Sequence, residues 1–231
     1  TGVVTVMVGV GEQGQGTEGI FAQIAADVVG VPMSAIRVVT GDTDVTPYGG
    51  GTWASRGAGI GGEAVLQAGF ALRKNILSLA GVILKREAET LALRDAQIVD
   101  VSTGESVMAL NELGRIAYFR PDTLPAGVTG ELMVTRHYAQ RDYPFIFTNG
   151  VQASLVEVDV DTGFVKLLKH WVVEDCGRVI NPMLVDEQMR GAVVQGIGGA
   201  LYEECLYDEG GMLQNGNMAD YLVPMAAEMP D

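Results

Sequence analysis

The sequence predicts an α+β fold built as two mixed blocks, residues 1–97 and 98–231, and three observations carry that prediction. β-Branched runs alternate with segments whose apolar residues recur at helical spacing. A pair of alternating segments is punctuated at Asp161-Thr162-Gly163, the mark of an antiparallel hairpin. Helices stand beside such hairpins in the second block, where a doubly wound parallel sheet would continue with further β-α units.

The elements follow in order. GVVTVMV reads as a strand, and GIFAQIAADVVG as a helix closed by Gly30 and Pro32. SAIRVVTGD reads as a second strand, and a turn-rich segment, TDVTPYGGGTWASRGAGIGG, precedes a long helical pattern from EAVLQ to AETL, broken near Gly81 or formed of two helices. A loop of that length inside a compact block is usually functional or mobile. The second block opens on the hairpin-like QIVDVSTGESVM and a short helix, MALNELGRIAYF, with GVTGELMVTRHYA after it. The hairpin of NGVQASLVEVDV and FVKLLKHWVVEDCG comes next, then a helix from NPMLVDEQ, with Asn181 before Pro182 as its start signal. GNMADYLVP reads as a final strand.

Composition sets limits on function. The 231 residues are 48% apolar and 19% charged, too apolar for disorder and long enough for one large or two small domains with a buried core. No run approaches the roughly 18 apolar residues of a membrane span. A net charge of −14 repels phosphate at long range, which excludes a general nucleic-acid or anionic-lipid surface; any bound anion must be held by local dipoles. Cys176 and Cys205, each in an apolar context, support neither a disulfide framework nor a zinc cluster, and a reducing, cytoplasmic location is expected. Both ends read as cuts within a longer protein, and exposed apolar surface is expected where further segments would pack.

The glycine-rich run GVGEQGQGTEG, residues 9–19, admits two readings. Gly9, Gly11 and Gly14 spell G-x-G-x-x-G after a strand, a dinucleotide fingerprint, with Asp42 as the acid for a ribose. Against it, Glu12 and Glu18 place carboxylates where phosphates would sit, and the glycines continue to Gly16 and Gly19, so the helix starts late. The other reading joins three segments, 14–19, 49–62 and 185–199, each combining glycines with neutral hydrogen-bonding side chains such as Gln15, Thr17, Ser55, Gln188 and Gln195. Helix N-termini and loop N–H groups of this kind bind a phosphate-bearing, heteroatom-rich ligand without excess positive charge, and carboxamides suit a pterin edge.

The stretch from GEQGQGTEG to GGGTWASRGAGIGGEAV, followed by VVEDCGRVINPMLVDEQMRGAVVQGIGGALYEE and DYLVP, resembles the molybdenum-cofactor-binding C-terminal region of the xanthine dehydrogenase and aldehyde oxidase family, nearest to the large subunits of bacterial aerobic carbon monoxide dehydrogenases. The similarity covers nearly the whole chain. It implies that Gly14 and Gln15 form the family's G-Q-G loop with Thr17 at the adjoining helix start, that Ala54 and Ser55 form a second cofactor loop, and that Gln188 bonds the cofactor from the second block. It further implies a molybdenum-molybdopterin cofactor in its cytosine dinucleotide form, and hydroxylation of a carbon centre of a small-molecule substrate with water as oxygen source. Electrons would leave through iron–sulfur and FAD partners in a dimer of heteromers. The family's general base is a glutamate in a G-x-G-E stretch downstream of D-Y-x-x-P, beyond Asp231, so no catalytic residue and no metal ligand is assigned here; Glu12 spells the same string in the wrong place.

Local roles stand beside each assignment. Gln15 and Gln188 could bond only loop backbone, and Ser55 could be a turn residue or helix cap. Cys176 reads as a small buried side chain, His137 and His170 as structural residues on strand-like segments, and Asp42-Thr43-Asp44 as a self-capping turn. Two alternative functions remain: a non-catalytic scaffold whose glycine loops make subunit contacts, and the NAD-binding domain of the literal fingerprint.

Overall fold

The computed structural model describes residues 2–141 and 147–229 and divides into two compact units, Thr1–Ile146 and Phe147–Asp231. In the first, β1 (Val4–Val8), α1 (Thr17–Val29) and β2 (Ile36–Thr40) form a β-α-β unit in which the two strands pair in parallel, Val4 against Ile36 through Val8 against Thr40. Gly30 ends α1 in the left-handed conformation, φ 91°, and a Cβ there would overlap the Leu93 carbonyl oxygen. Only glycine suits both demands.

α2 (Gly62–Leu84) is one continuous helix. Gly81 does not break it. A Cβ at that position would come within 2.7 Å of the Arg86 carbonyl oxygen, so glycine is required there because the chain folds back over the helix end after Lys85. The helical reading that ran through AETL overshoots: β3 (Leu91–Arg94) pairs antiparallel with β4 (Gln97–Asp100), which pairs with β5 (Ser106–Ala109). Asp95 and Ala96, both at positive φ, make the two-residue turn between β3 and β4. The division expected at 97/98 therefore falls inside a sheet, and the compact units divide at 146/147 instead. The sheet belongs to the first unit because Leu93 and Ile98 share one core with Val29 of α1, Leu79 of α2, and Leu110 and Leu113 of α3 (Leu110–Phe119).

Asp100 ties the β4–β5 turn. It accepts from the Ser102 hydroxyl at 2.5 Å and the Ser102 N–H at 2.8 Å, and it pairs with Arg86 at 2.6 Å. Those bonds, from Ser102 first, hold its carboxyl at about 2. A depressed folded value means that the stabilisation is complete above the ordinary carboxylate range and disappears as pH falls through the folded one. The stability difference between the natural chain and Asp100→Asn is therefore expected to be constant above about pH 5 and to shrink between about pH 4 and 2, measured by urea unfolding across that window.

The second unit holds the predicted hairpin, β6 (Asn149–Val158) and β7 (Val165–Asp175), and α4 (Pro182–Leu201). Asp159 accepts from the Asp161 and Thr162 N–H groups, and Gly163 takes φ 76°, which closes the hairpin turn. Asn181 caps α4 by accepting from the Leu184 N–H at 3.2 Å, with Pro182 at the first helical position. GNMADYLVP is not a strand. Asn217 turns the chain by accepting from Ala219, and the Tyr221 hydroxyl donates to Glu203 at 2.8 Å, which anchors this segment beside the C-terminal end of α4. Pro224 lies against Gly198 there.

Every residue of β6 is exposed, and Gly198 and Asn215 are the buried residues among those described in this unit. Val151, Trp171 and Val173 are among its exposed apolar side chains. Among the described residues no helix is long and apolar enough to cross a membrane.

Candidate functional site

The two glycine-rich loops of the first unit leave the carboxyl ends of β1 and β2, the edge of a parallel pair at which ligands of open α/β sheets bind. The first loop ends at Gly16, the N-cap of α1 at φ 79°. A glycine cap has no side chain to accept from the first helical turn, and Glu12 supplies one instead. Its Oε1 accepts from the N–H groups of Gly14 at 2.7 Å, Gln13 at 3.1 Å and Gly16 at 3.1 Å, and its Oε2 from Glu18 at 2.9 Å. Partial burial pushes the carboxyl up, but these backbone donors together outweigh it and hold Glu12 below the usual range. Gln15 turns its Oε1 inward to accept from the Gln13 N–H at 2.7 Å, and its Nε2 has no partner among the described residues.

This arrangement removes the dinucleotide reading. α1 begins at Thr17 instead of within Gly9 to Gly14, and the amides that would meet a pyrophosphate are bonded to Glu12. Asp42 is engaged in its own turn, accepting from the Asp44 N–H at 3.0 Å, as the self-capping reading expects.

The second loop crosses the first in backbone contact. A Cβ on Gly9 would overlap the Pro47 oxygen and the Gly49 nitrogen, and a Cβ on Gly49 would overlap the Gly9 backbone. The Thr52 hydroxyl then donates to the Gly11 carbonyl at 2.6 Å. Four left-handed residues follow within a short span: Gly50, Gly51, Ala54 at φ 51° and Ser55 at φ 55°. For Ala54 and Ser55 that conformation costs about 1–3 kcal/mol each, strain that concentrates at functional sites. The Trp53 indole N–H donates to the Gly50 carbonyl at 2.9 Å, and the Arg56 guanidinium lies 5.3 Å above the Trp53 ring. A π-helical turn, Gly57–Gly61, leads into α2, another feature frequent at functional sites.

Thr17 sits at the join. It is 3% exposed, a Cβ on Gly57 would lie 3.8 Å from its Oγ1, and that hydroxyl oxygen has no hydrogen-bond partner among the described residues. A buried polar group left unpaired costs about 1–3 kcal/mol, so the hydroxyl marks where a polar ligand improves the site. Strained loop backbone, a carboxamide with free donors and this hydroxyl fit a polar, phosphate-bearing cofactor.

Of the residues expected to hold such a cofactor, Gly14, Gln15, Thr17, Ala54 and Ser55 lie on these two touching loops. Gln188 lies exposed on α4 in the second unit. Ser55 caps no helix but is a turn residue, as its local reading allows: with Ala54 it forms the left-handed centre of the Trp53–Arg56 turn, which the Arg56 N–H closes by donating to the Trp53 carbonyl at 3.3 Å. Cys176 and Cys205 are exposed rather than buried, and His137 lies in irregular chain rather than on a strand. His170, on β7, bridges the Ser154 hydroxyl at 2.8 Å and Gln152 at 3.2 Å, a structural cross-strand role. Sequence reasoning missed Glu12 as a cap, Thr52 as a clasp, and Arg56. The last had a readable signal, since Arg56 is the single cation in residues 49–62.

Fold and loops together define an α+β protein in which two glycine-rich loops meet at the carboxyl edge of a parallel strand pair. The chain belongs to the molybdopterin cofactor-binding domain family, whose profile matches residues 1–230. It is 39% identical over 224 residues, 97% of its length, to the nicotine 6-hydroxylase large subunit of Paenarthrobacter nicotinovorans, of which it covers 27%. It superposes on the crystal structure of quinoline 2-oxidoreductase from Pseudomonas putida 86 with a TM-score of 0.88 at 38% identity, covering 100% of this chain and 29% of that one. The Cu,Mo-containing CO dehydrogenase gives a TM-score of 0.82 at 29% identity over 96% of this chain and 27% of that one. The chain thus spans less than a third of the length of each of these proteins.

Proposed function

We propose that this chain is the cofactor-holding part of the large subunit of a molybdenum-dependent hydroxylase. The observation that carries the reading is the pair of glycine loops locked backbone to backbone at Gly9 and Gly49, on the carboxyl edge of β1 and β2, with the Gln15 Nε2 donors and the buried Thr17 hydroxyl unpaired. Gly14, Gln15, Thr17, Ala54, Ser55 and Gln188 hold the pterin and its phosphates, in the cytosine dinucleotide form, and Arg56, the single cation of residues 49–62, supplies a local positive charge in a chain of net −14. When bound, the molybdenum group supplies hydroxylation of a carbon centre with oxygen taken from water. The part played by this chain's own residues is binding and orientation: glycine backbone lets the ligand approach closely, and the carboxamides fix its rotation.

By the same reading no general base is assigned among this chain's own residues, whose part is binding and orientation. Electrons leave through iron–sulfur and FAD partners, the assembly is a dimer of heteromers in the cytoplasm, and the substrate is a small molecule. The exposed apolar face of β6 and β7 supports packing against more of the same enzyme.

The test is molybdenum by elemental mass spectrometry and oxidised-pterin fluorescence on the whole protein, purified with its partner subunits from a host that makes the cofactor. Near-equal molar amounts of metal and pterin are expected; folded, partnered protein with neither returns the loops to a scaffold role. In that protein Gln188→Ala is expected to lower pterin content, since a lost carboxamide contact that leaves a cofactor group unpaired costs about 1–3 kcal/mol. Unchanged occupancy removes Gln188 from the site.

A further inference from the structure

We propose that Glu12 is a positioning residue, the internal anion of the first glycine loop, whose carboxylate occupies the amides at the start of α1 and thereby orients Gln15 for the cofactor. This rests on the reading of the loop as a cofactor site. Four backbone N–H groups, from Gln13, Gly14, Gly16 and Glu18, converge on one carboxylate, which spans both sides of the glycine N-cap. The N-terminal dipole of α1 meets a fixed negative charge from its own chain. These amides are then engaged before any ligand arrives, and the cofactor's phosphates are left to other donors.

The link to Gln15 is the Gln13 N–H. It points to Glu12 Oε1 at 3.1 Å and to Gln15 Oε1 at 2.7 Å, so one donor serves both side chains. With its oxygen held on the loop, the Gln15 amide turns its two Nε2 donors away from the backbone. Loss of the Glu12 carboxylate frees the turn from Gln13 to Glu18 and with it the orientation of Gln15. The link from Glu18 to β2 through the Thr40 hydroxyl, at 2.8 Å, remains, so the start of α1 stays attached to the sheet.

The experiment compares the whole protein with Glu12→Ala and Glu12→Gln, with partner subunits, from hosts with and without cofactor synthesis. In cofactor-free protein, amide hydrogen exchange over residues 12–18 is expected to rise about tenfold or more in Glu12→Ala and less in Glu12→Gln, while α2 keeps its protection. In the cofactor-making host, pterin and molybdenum content is expected to fall several-fold in Glu12→Ala, to a level close to that of Gln15→Ala, with partial recovery in Glu12→Gln. Unchanged exchange overturns the internal-anion role. Increased exchange with full cofactor loading overturns the link to Gln15. A natural protein that carries no cofactor, with the exchange result as expected, overturns instead the cofactor reading on which the link depends. Loss of α2 protection in both variants overturns the proposal in favour of a general folding role.

Discussion

Phe21→Ala is expected to destabilise the chain by about 3–5 kcal/mol, the usual cost of emptying a buried aromatic site. Phe21 is fully buried on the inner face of α1, in the small core with Val8, Val10, Ala25 and Val65 that underlies both glycine loops. A Cβ on Gly61 would stand 2.9 Å from its ring, so the π-helical turn after the second loop rests directly on Phe21. The ring thus links packing to function: its removal leaves a cavity beneath the point where the second loop meets α2. Urea unfolding measures the loss, with Phe21→Leu as a milder control, and in the whole protein cofactor content is expected to fall as well. A change under about 1 kcal/mol would mean that the loops close over the gap and that this core does not support them.

Gly9→Ala is expected to be the most damaging single methyl group in the loops. The added carbon meets Pro47 and Gly49 backbone, which no rotamer change can move aside. The φ of Gly9 is not in the left-handed region, so the penalty is purely the overlap of two chains. Separation of the second loop from the first also strains or breaks the Thr52 to Gly11 hydrogen bond. A destabilisation of about 1–3 kcal/mol is expected, with cofactor content lowered about tenfold for each 1.4 kcal/mol that appears in binding. Gly19→Ala is the control: it lies inside α1 with nothing within 4 Å of an added Cβ, and replacement there is expected to stabilise by about 0.5–1 kcal/mol. Equal effects at the two positions would show that close backbone approach is not what Gly9 provides.

These two residues mark how far the sequence could be read. Phe21 is legible as core, since it lies on the apolar side of a helical repeat that ends at a glycine cap. Gly9 is legible as glycine in a loop and as nothing more, because the chain that it touches is remote in sequence. β3 was hidden for a related reason. LALR has no alternation, all but its last residue being buried, and Asp95-Ala96 is not a turn pair that advertises two left-handed residues. The continuity of α2 through Gly81 is not legible in the sequence, because a glycine needed for a close approach and a glycine that ends a helix look alike in one dimension.

The sequence by itself determined the periodicities: strands at Val4 and Ile36, helices closed by Gly30 and opened by Asn181, a hairpin turned at Gly163, and three glycine-rich segments carrying Gln15, Ser55 and Gln188. Those signals are local, since side-chain spacing and backbone freedom act within a few residues. Only the tertiary structure decided that two of the segments touch at Gly9 and Gly49, that Ala54 and Ser55 are held left-handed, and that Glu12 folds back onto the start of α1. The physical reason is that these features arise from one stretch of backbone excluding or bonding another. Residue type limits which groups can meet in this way, and packing selects the pairs that do.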